Sequence, residues 1–132
     1  MPLIVDTGAL ELLRRGDRRV ESLVLRFYPP LLCPHITGAF LFGQEHAGVT
    51  PARLLQIRAF LADFETVSST ATTAAIYAHL RADATARGLT LPDPDYWIAA
   101  HAIEQRCDLI STDRHFRHFP EFRLHYVSPS RS

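Results

Sequence analysis

The chain has 132 residues, 47% hydrophobic and 21% charged, which excludes a disordered polymer and fits one domain with a core that needs no staples. Lys+Arg and Asp+Glu both number 14, so no strong global pull on nucleic acid is expected. No apolar run approaches the roughly 20 residues of a membrane span. The start, Met1-Pro2-Leu3-Ile4-Val5-Asp6, lacks the marks of a signal peptide. A cytoplasmic protein with reduced thiols and no membrane contact is the base expectation.

Leu3-Ile4-Val5 reads as a strand buried on both faces, stopping at Asp6-Thr7-Gly8. A helix through Leu10, Leu12 and Leu13 follows, and Gly16-Asp17 closes it and opens another with Val20, Leu23, Val24 and Phe27. Pro29-Pro30 breaks the chain before a second apolar run, Leu31-Leu32-Cys33. Helical pattern returns from Ile36 to about Glu45, and Thr50-Pro51 caps a further helix through Phe60 and Leu61. Thr66-Val67 suggests a minor strand, and Ser69 or Thr70 suits the cap of an Ala-rich helix ending at Gly88. Asp93-Pro94-Asp95 leads into a helix from Tyr96 to Arg106, with Asp93 as cap. Leu109-Ile110 and Leu124 to Val127 are the last strands, before a polar tail over 128–132. Strands alternating with helices predict an α/β three-layer sandwich, its mainly parallel central sheet flanked by helices, in a single domain over 1–132.

The positions of the acidic residues carry the functional reading. Asp6 follows the first strand and Asp113 follows a late one, and in a parallel sheet the carboxyl ends share one edge. Asp95 enters from the start of the intervening helix. Three ionised carboxylates in one place need neutralising, and a hard divalent cation, Mg²⁺ or Mn²⁺, does this through oxygen ligands. Such an ion can bind a phosphate oxygen and activate water. Each acid also has a plainer use: Asp6 as a cap of the first helix, Asp95 in a helix first turn, Asp113 as cap of a turn through Phe116. Together on one sheet edge they favour the metal.

Three strings resemble the PIN-domain family. They are Val5-Asp6-Thr7-Gly8-Ala9-Leu10, Asp95-Tyr96-Trp97-Ile98-Ala99-Ala100 and Leu109-Ile110-Ser111-Thr112-Asp113-Arg114-His115-Phe116. Their order and spacing are similar to those of the family over about Leu3 to Val127, and the size resembles VapC-type toxins of toxin–antitoxin pairs. The resemblance implies a metal-dependent ribonuclease with Asp6, Asp95 and Asp113 as catalytic metal ligands. Asp93 would be an outer helper, and Thr7 or Thr112 would orient a carboxylate or water. It also implies RNA as substrate, a cognate antitoxin as partner and a homodimer.

One position departs from the family pattern. Ala39-Phe40-Leu41-Phe42-Gly43 carries Ala where the family usually has Glu. Glu45, six residues on, points about 240° away on a helix and is a poor replacement. The departure predicts a weak or inactive nuclease and keeps open a non-catalytic RNA- or protein-binding module. An α/β phosphohydrolase with Asp6 as nucleophile is less favoured, because the sequence contains no Lys to support a phospho-aspartate.

Other candidates weigh less. His115, His118 and His125 lack a further ligand for zinc. Cys33 and Cys107 read as small buried hydrophobes, since neither has an adjacent His. Of Tyr96 and Trp97, one is expected in the core and one toward a cleft. Arg14, Arg15, Arg18 and Arg19 form the densest basic cluster, a solvated face by default and a phosphate contact by second choice.

Overall fold

Leu3–Val5 (β1) is hydrogen-bonded on both sides, to Pro30–Leu32 (β2) and to Asp108–Ser111 (β4), and all its residues are buried, which is why its sequence is apolar without alternation. This computed structural model describes residues 1–130. Glu65–Thr66 (β3) and Leu124–Tyr126 (β5) complete a five-stranded sheet in the order β3-β2-β1-β4-β5, parallel throughout. Leu3 stands opposite Pro30 and Asp108, and Val5 opposite Ile110, so Asp6 and the residues after Ser111 leave the sheet at the same edge.

Among the described residues, six α-helices flank the sheet: Thr7–Arg14 (α1), Arg18–Arg26 (α2), Pro34–His46 (α3), Pro51–Leu61 (α4), Ala71–Ala86 (α5) and Asp93–Gln105 (α6). A 3-10 turn spans Arg114–His118. The caps follow the sequence: Asp17 accepts from the amides of Arg19 and Val20, Thr50 accepts from Arg53, and Thr70 with Thr73 forms a reciprocal capping pair. The core holds Leu3, Ile4, Leu10, Leu32, Ile36, Ile57, Leu109, Ile110 and Phe116, each essentially without exposure.

Several boundaries shift by a residue or two. β2 takes in Pro30 and releases Cys33, which becomes the cap residue of α3, because Pro34 serves as a first-turn proline. β3 lies one residue earlier than Thr66-Val67 suggested. Asp93 is the first residue of α6 and Pro92 holds the cap position, so Asp93 is not a cap. Its carboxylate is turned to the exposed Tyr77 hydroxyl and to Arg81 Nη1 (2.6 Å). Tyr96 lies in the core, as expected of one of the pair, while Trp97 is half-buried and stacks on His35 and Tyr77.

Of the polar tail, Arg131 and Ser132 lie outside the described residues. Arg19 Nη2 donates to the carbonyls of Ser128 and Ser130, each at 3.1 Å. Among the described residues, no helix is long and apolar enough to cross a membrane.

Candidate metal centre

Asp6 occupies the cap position of α1, yet its side chain makes no capping hydrogen bond there. Its Oδ2 instead accepts from Ser111 Oγ, 2.6 Å away at the end of β4. The Asp113 amide donates to the same Ser111 oxygen at 2.9 Å. One hydroxyl thus fixes Asp6 against Asp113. Burial pushes the Asp6 carboxyl above the ordinary carboxylate range, the Ser111 hydrogen bond opposes that rise, and the Asp113 charge adds to it.

Asp95 lies in the first turn of α6 and is 8% exposed. Its carboxyl is pushed up to about 6, first by burial and then by the charges of Asp113 and Asp6, while His115 works against the rise. His115 Nδ1 stands 3.2 Å from Asp95 Oδ2 and 3.2 Å from Asp113 Oδ1. Asp95, Asp113 and His115 each offer a ligand atom within 4.8 Å of the others. Asp113 also caps the 3-10 turn, accepting from the His115 amide at 2.8 Å, so its plainer use coexists with its place at the edge.

Asp6 therefore feels the charge of Asp113, and Asp95 those of Asp113 and Asp6, and among the described residues none of the three pairs with an arginine. A set of oxygen donors short of positive charge fits a hard divalent ion, with the His115 imidazole as an added donor. Asp93, engaged by Tyr77 and Arg81, stands apart from this group.

Ala39 lies on the exposed side of α3, in a cleft of about 420 Å³ that it shares with Thr7, Glu11, Arg14, Arg15 and Gln44. Thr7 follows Asp6, so position 39 stands beside the first turn of α1. Glu11 does not replace the missing acid, since Arg14 (2.5 Å), Arg15 (3.0 Å) and Gln44 (3.3 Å) already hold its carboxylate. These contacts also neutralise much of the basic cluster, and Arg19 is likewise committed to Asp17, at 2.8 Å.

Two contributors escaped the sequence reading. Ser111, rather than Thr7 or Thr112, orients Asp6; the available signal was its place two residues before Asp113. His115 was weighed only as a zinc ligand, although its place two residues after Asp113 put it beside the acids. Cys33, taken as lacking a histidine neighbour, in fact has His35 and His101 close by.

No curated protein matches the sequence. Solved structures match its fold. A chain of VapBC2 from Rickettsia felis, bound to a fragment of promoter DNA, superposes with a TM-score of 0.84 at 18% identity, covering 96% of this chain and 98% of that one. VapBC-1 from nontypeable Haemophilus influenzae gives 0.83 at 14% identity, with 96% and 98% covered. FitAcB from Neisseria gonorrhoeae gives 0.78 at 18% identity, with 96% and 97% covered. A family model, the PIN domain, matches residues 3–121. The strand order, the acidic carboxyl edge and this match agree: the chain belongs to the PIN-domain family.

Proposed function

We propose that this chain is a single-domain, cytoplasmic toxin of the VapC type, built as a metal-dependent endoribonuclease. The observation that supports this most is the nearness of Asp6, Asp95 and Asp113, from distant parts of the sequence, at one edge where the Asp113 charge acts on both other carboxyls and the Asp6 charge on Asp95. These three residues would hold Mg²⁺ or Mn²⁺, with His115 beside them. When bound, the ion supplies positive charge to a phosphate oxygen of RNA and acidifies water for attack on phosphorus. Ser111 keeps the Asp6 carboxylate turned inward and sets its distance from Asp113. Buried surroundings strengthen every charge interaction at the edge.

The structural neighbours are proteins of toxin–antitoxin pairs, which supports a cognate antitoxin as partner here. An antitoxin arginine placed against the carboxylates would neutralise them in place of the metal. A homodimer is the assembly we propose. Ala39 favours a second reading, a PIN-fold module that binds RNA or protein without cleaving it.

The Ala39→Glu change separates the two. A carboxylate restored beside Thr7 should raise Mn²⁺-dependent RNA cleavage by about 10²–10⁴-fold, and adding Asp6→Asn should abolish the gain. Equal, negligible cleavage before and after Ala39→Glu would reject the nuclease reading of this edge and leave the binding module.

A further inference from the structure

A second group of metal-ligand chemistry, with no residue in common with the acidic trio, starts at the carboxyl end of the neighbouring strand β2. Cys33 ends the segment after β2, His35 stands in the first turn of α3, and His101 belongs to α6. Each offers one ligand atom, and the three atoms lie within 4.8 Å of one another. Cys33 and His101 have 0% exposure. His101 Nε2 is 2.9 Å from Ser69 Oγ, while its Nδ1 is buried without a hydrogen-bond partner, and the same is true of His35 Nδ1. The His35 ring is stacked on Trp97, with centroids 5.1 Å apart.

Buried polar atoms without partners are costly and uncommon. An ion that accepts an imidazole lone pair from each histidine beside the buried sulfur would give such nitrogens a partner. We propose that Cys33, His35 and His101 form a binding site for a borderline or soft transition-metal ion, Zn²⁺ in the first instance, built from other residues than the acidic centre. A thiolate with two imidazoles is a donor set that suits Zn²⁺ and is foreign to Mg²⁺. The contact to Ser69 gives His101 the outer hydrogen bond that metal-bound imidazoles generally have. Ligand atoms up to 4.8 Å apart need only a modest inward shift to share an ion. Binding as thiolate releases the Cys33 proton, so the site tightens as pH rises. The ion ties the start of α3 to the middle of α6, and this site stands whether or not the acidic edge cleaves RNA.

The test uses the full chain, stripped of metal and loaded with Zn²⁺ in excess Mg²⁺, which occupies oxygen sites but not thiolates. X-ray absorption should show one sulfur at about 2.3 Å and imidazole nitrogens at about 2.0–2.1 Å around zinc. Co²⁺ in place of Zn²⁺ should give a sulfur-to-metal charge-transfer band that is lost in Cys33→Ser and kept in Cys107→Ser. A zinc shell without sulfur in the unmodified chain, or a cobalt band that survives Cys33→Ser, overturns the proposal. The absorption measurement needs no variant and decides the matter even where Cys33→Ser does not fold.

Discussion

Ser111 Oγ donates to Asp6 Oδ2 at 2.6 Å across 105 positions of sequence, and the same oxygen receives the Asp113 amide. This relay couples the ends of two adjacent parallel strands and gives the buried Asp6 its one side-chain donor among the described residues.

Ser111→Ala should therefore destabilise the metal-free protein by about 1–3 kcal/mol, the cost of leaving a buried acceptor unpaired. The Asp6 carboxyl should move further up. Urea unfolding near neutral pH measures the first effect, and NMR titration of the Asp6 side chain measures the second. A change below a few tenths of a kcal/mol would show that the relay carries no weight.

Asp95 makes stability depend on pH with a definite sign. Its folded value of about 6 lies above the ordinary 3.8, so between those values the folded state binds more protons than the unfolded one. Stability contributed by this group is full below the lower value and is lost as pH rises through the window. The loss is on the order of 2–3 kcal/mol by about pH 7. Asp95→Asn should flatten the difference between metal-free melts at about pH 4 and about pH 7. Mn²⁺ at neutral pH should restore stability to the unmodified chain and much less to Asp95→Asn.

Gly8 is fixed by a close approach. A Cβ built there would stand 2.0 Å from Thr112 Oγ1 and 3.1 Å from Thr112 Cβ. Gly8→Ala should cost about 1–3 kcal/mol through overpacking. Adding Thr112→Ala should return part of it, a non-additivity that a double-mutant cycle reads directly. Simple addition of the two effects would contradict the contact.

Arg106 ends α6 in the left-handed region, with φ 53 and ψ 49. A side chain there costs about 1–2 kcal/mol that glycine avoids, partly offset by glycine's freedom in the unfolded chain. Arg106→Gly should raise stability by about 0.5–1 kcal/mol, visible as a higher urea midpoint at unchanged slope.

The alternation of apolar strands with capped helices made the layered fold legible, because Asp17, Thr50 and Thr70 do in the structure what their side chains can do locally. The placement of Asp6 and Asp113 follows from topology, since the carboxyl ends of parallel strands share an edge, while Asp95 comes from the first turn of α6. What stayed hidden depended on side-chain direction. Several hydroxyls near the acids were equivalent on paper, and only the strand register selects Ser111 over Thr7 and Thr112. The nearness of His101 to Cys33 is a tertiary fact that no local spacing encodes, since α6 must first pack near the start of α3. The α6 cap was misjudged for a narrower reason: both Pro92 and Asp93 suit a helix start, and Tyr77 with Arg81 draws the Asp93 side chain outward.

The pairing of β1 with β4 joins residues 3–5 to residues 108–110. Such a contact carries a large loop-closure cost, because the intervening chain must be gathered before the strands meet. During synthesis, Asp6 leaves the ribosome long before Asp95 and Asp113, so the repelling charges are brought together only once β4 is available to pair with β1. A nascent or truncated chain that stops short of β4 carries no assembled acidic edge, and whatever this edge does begins only with the nearly finished protein.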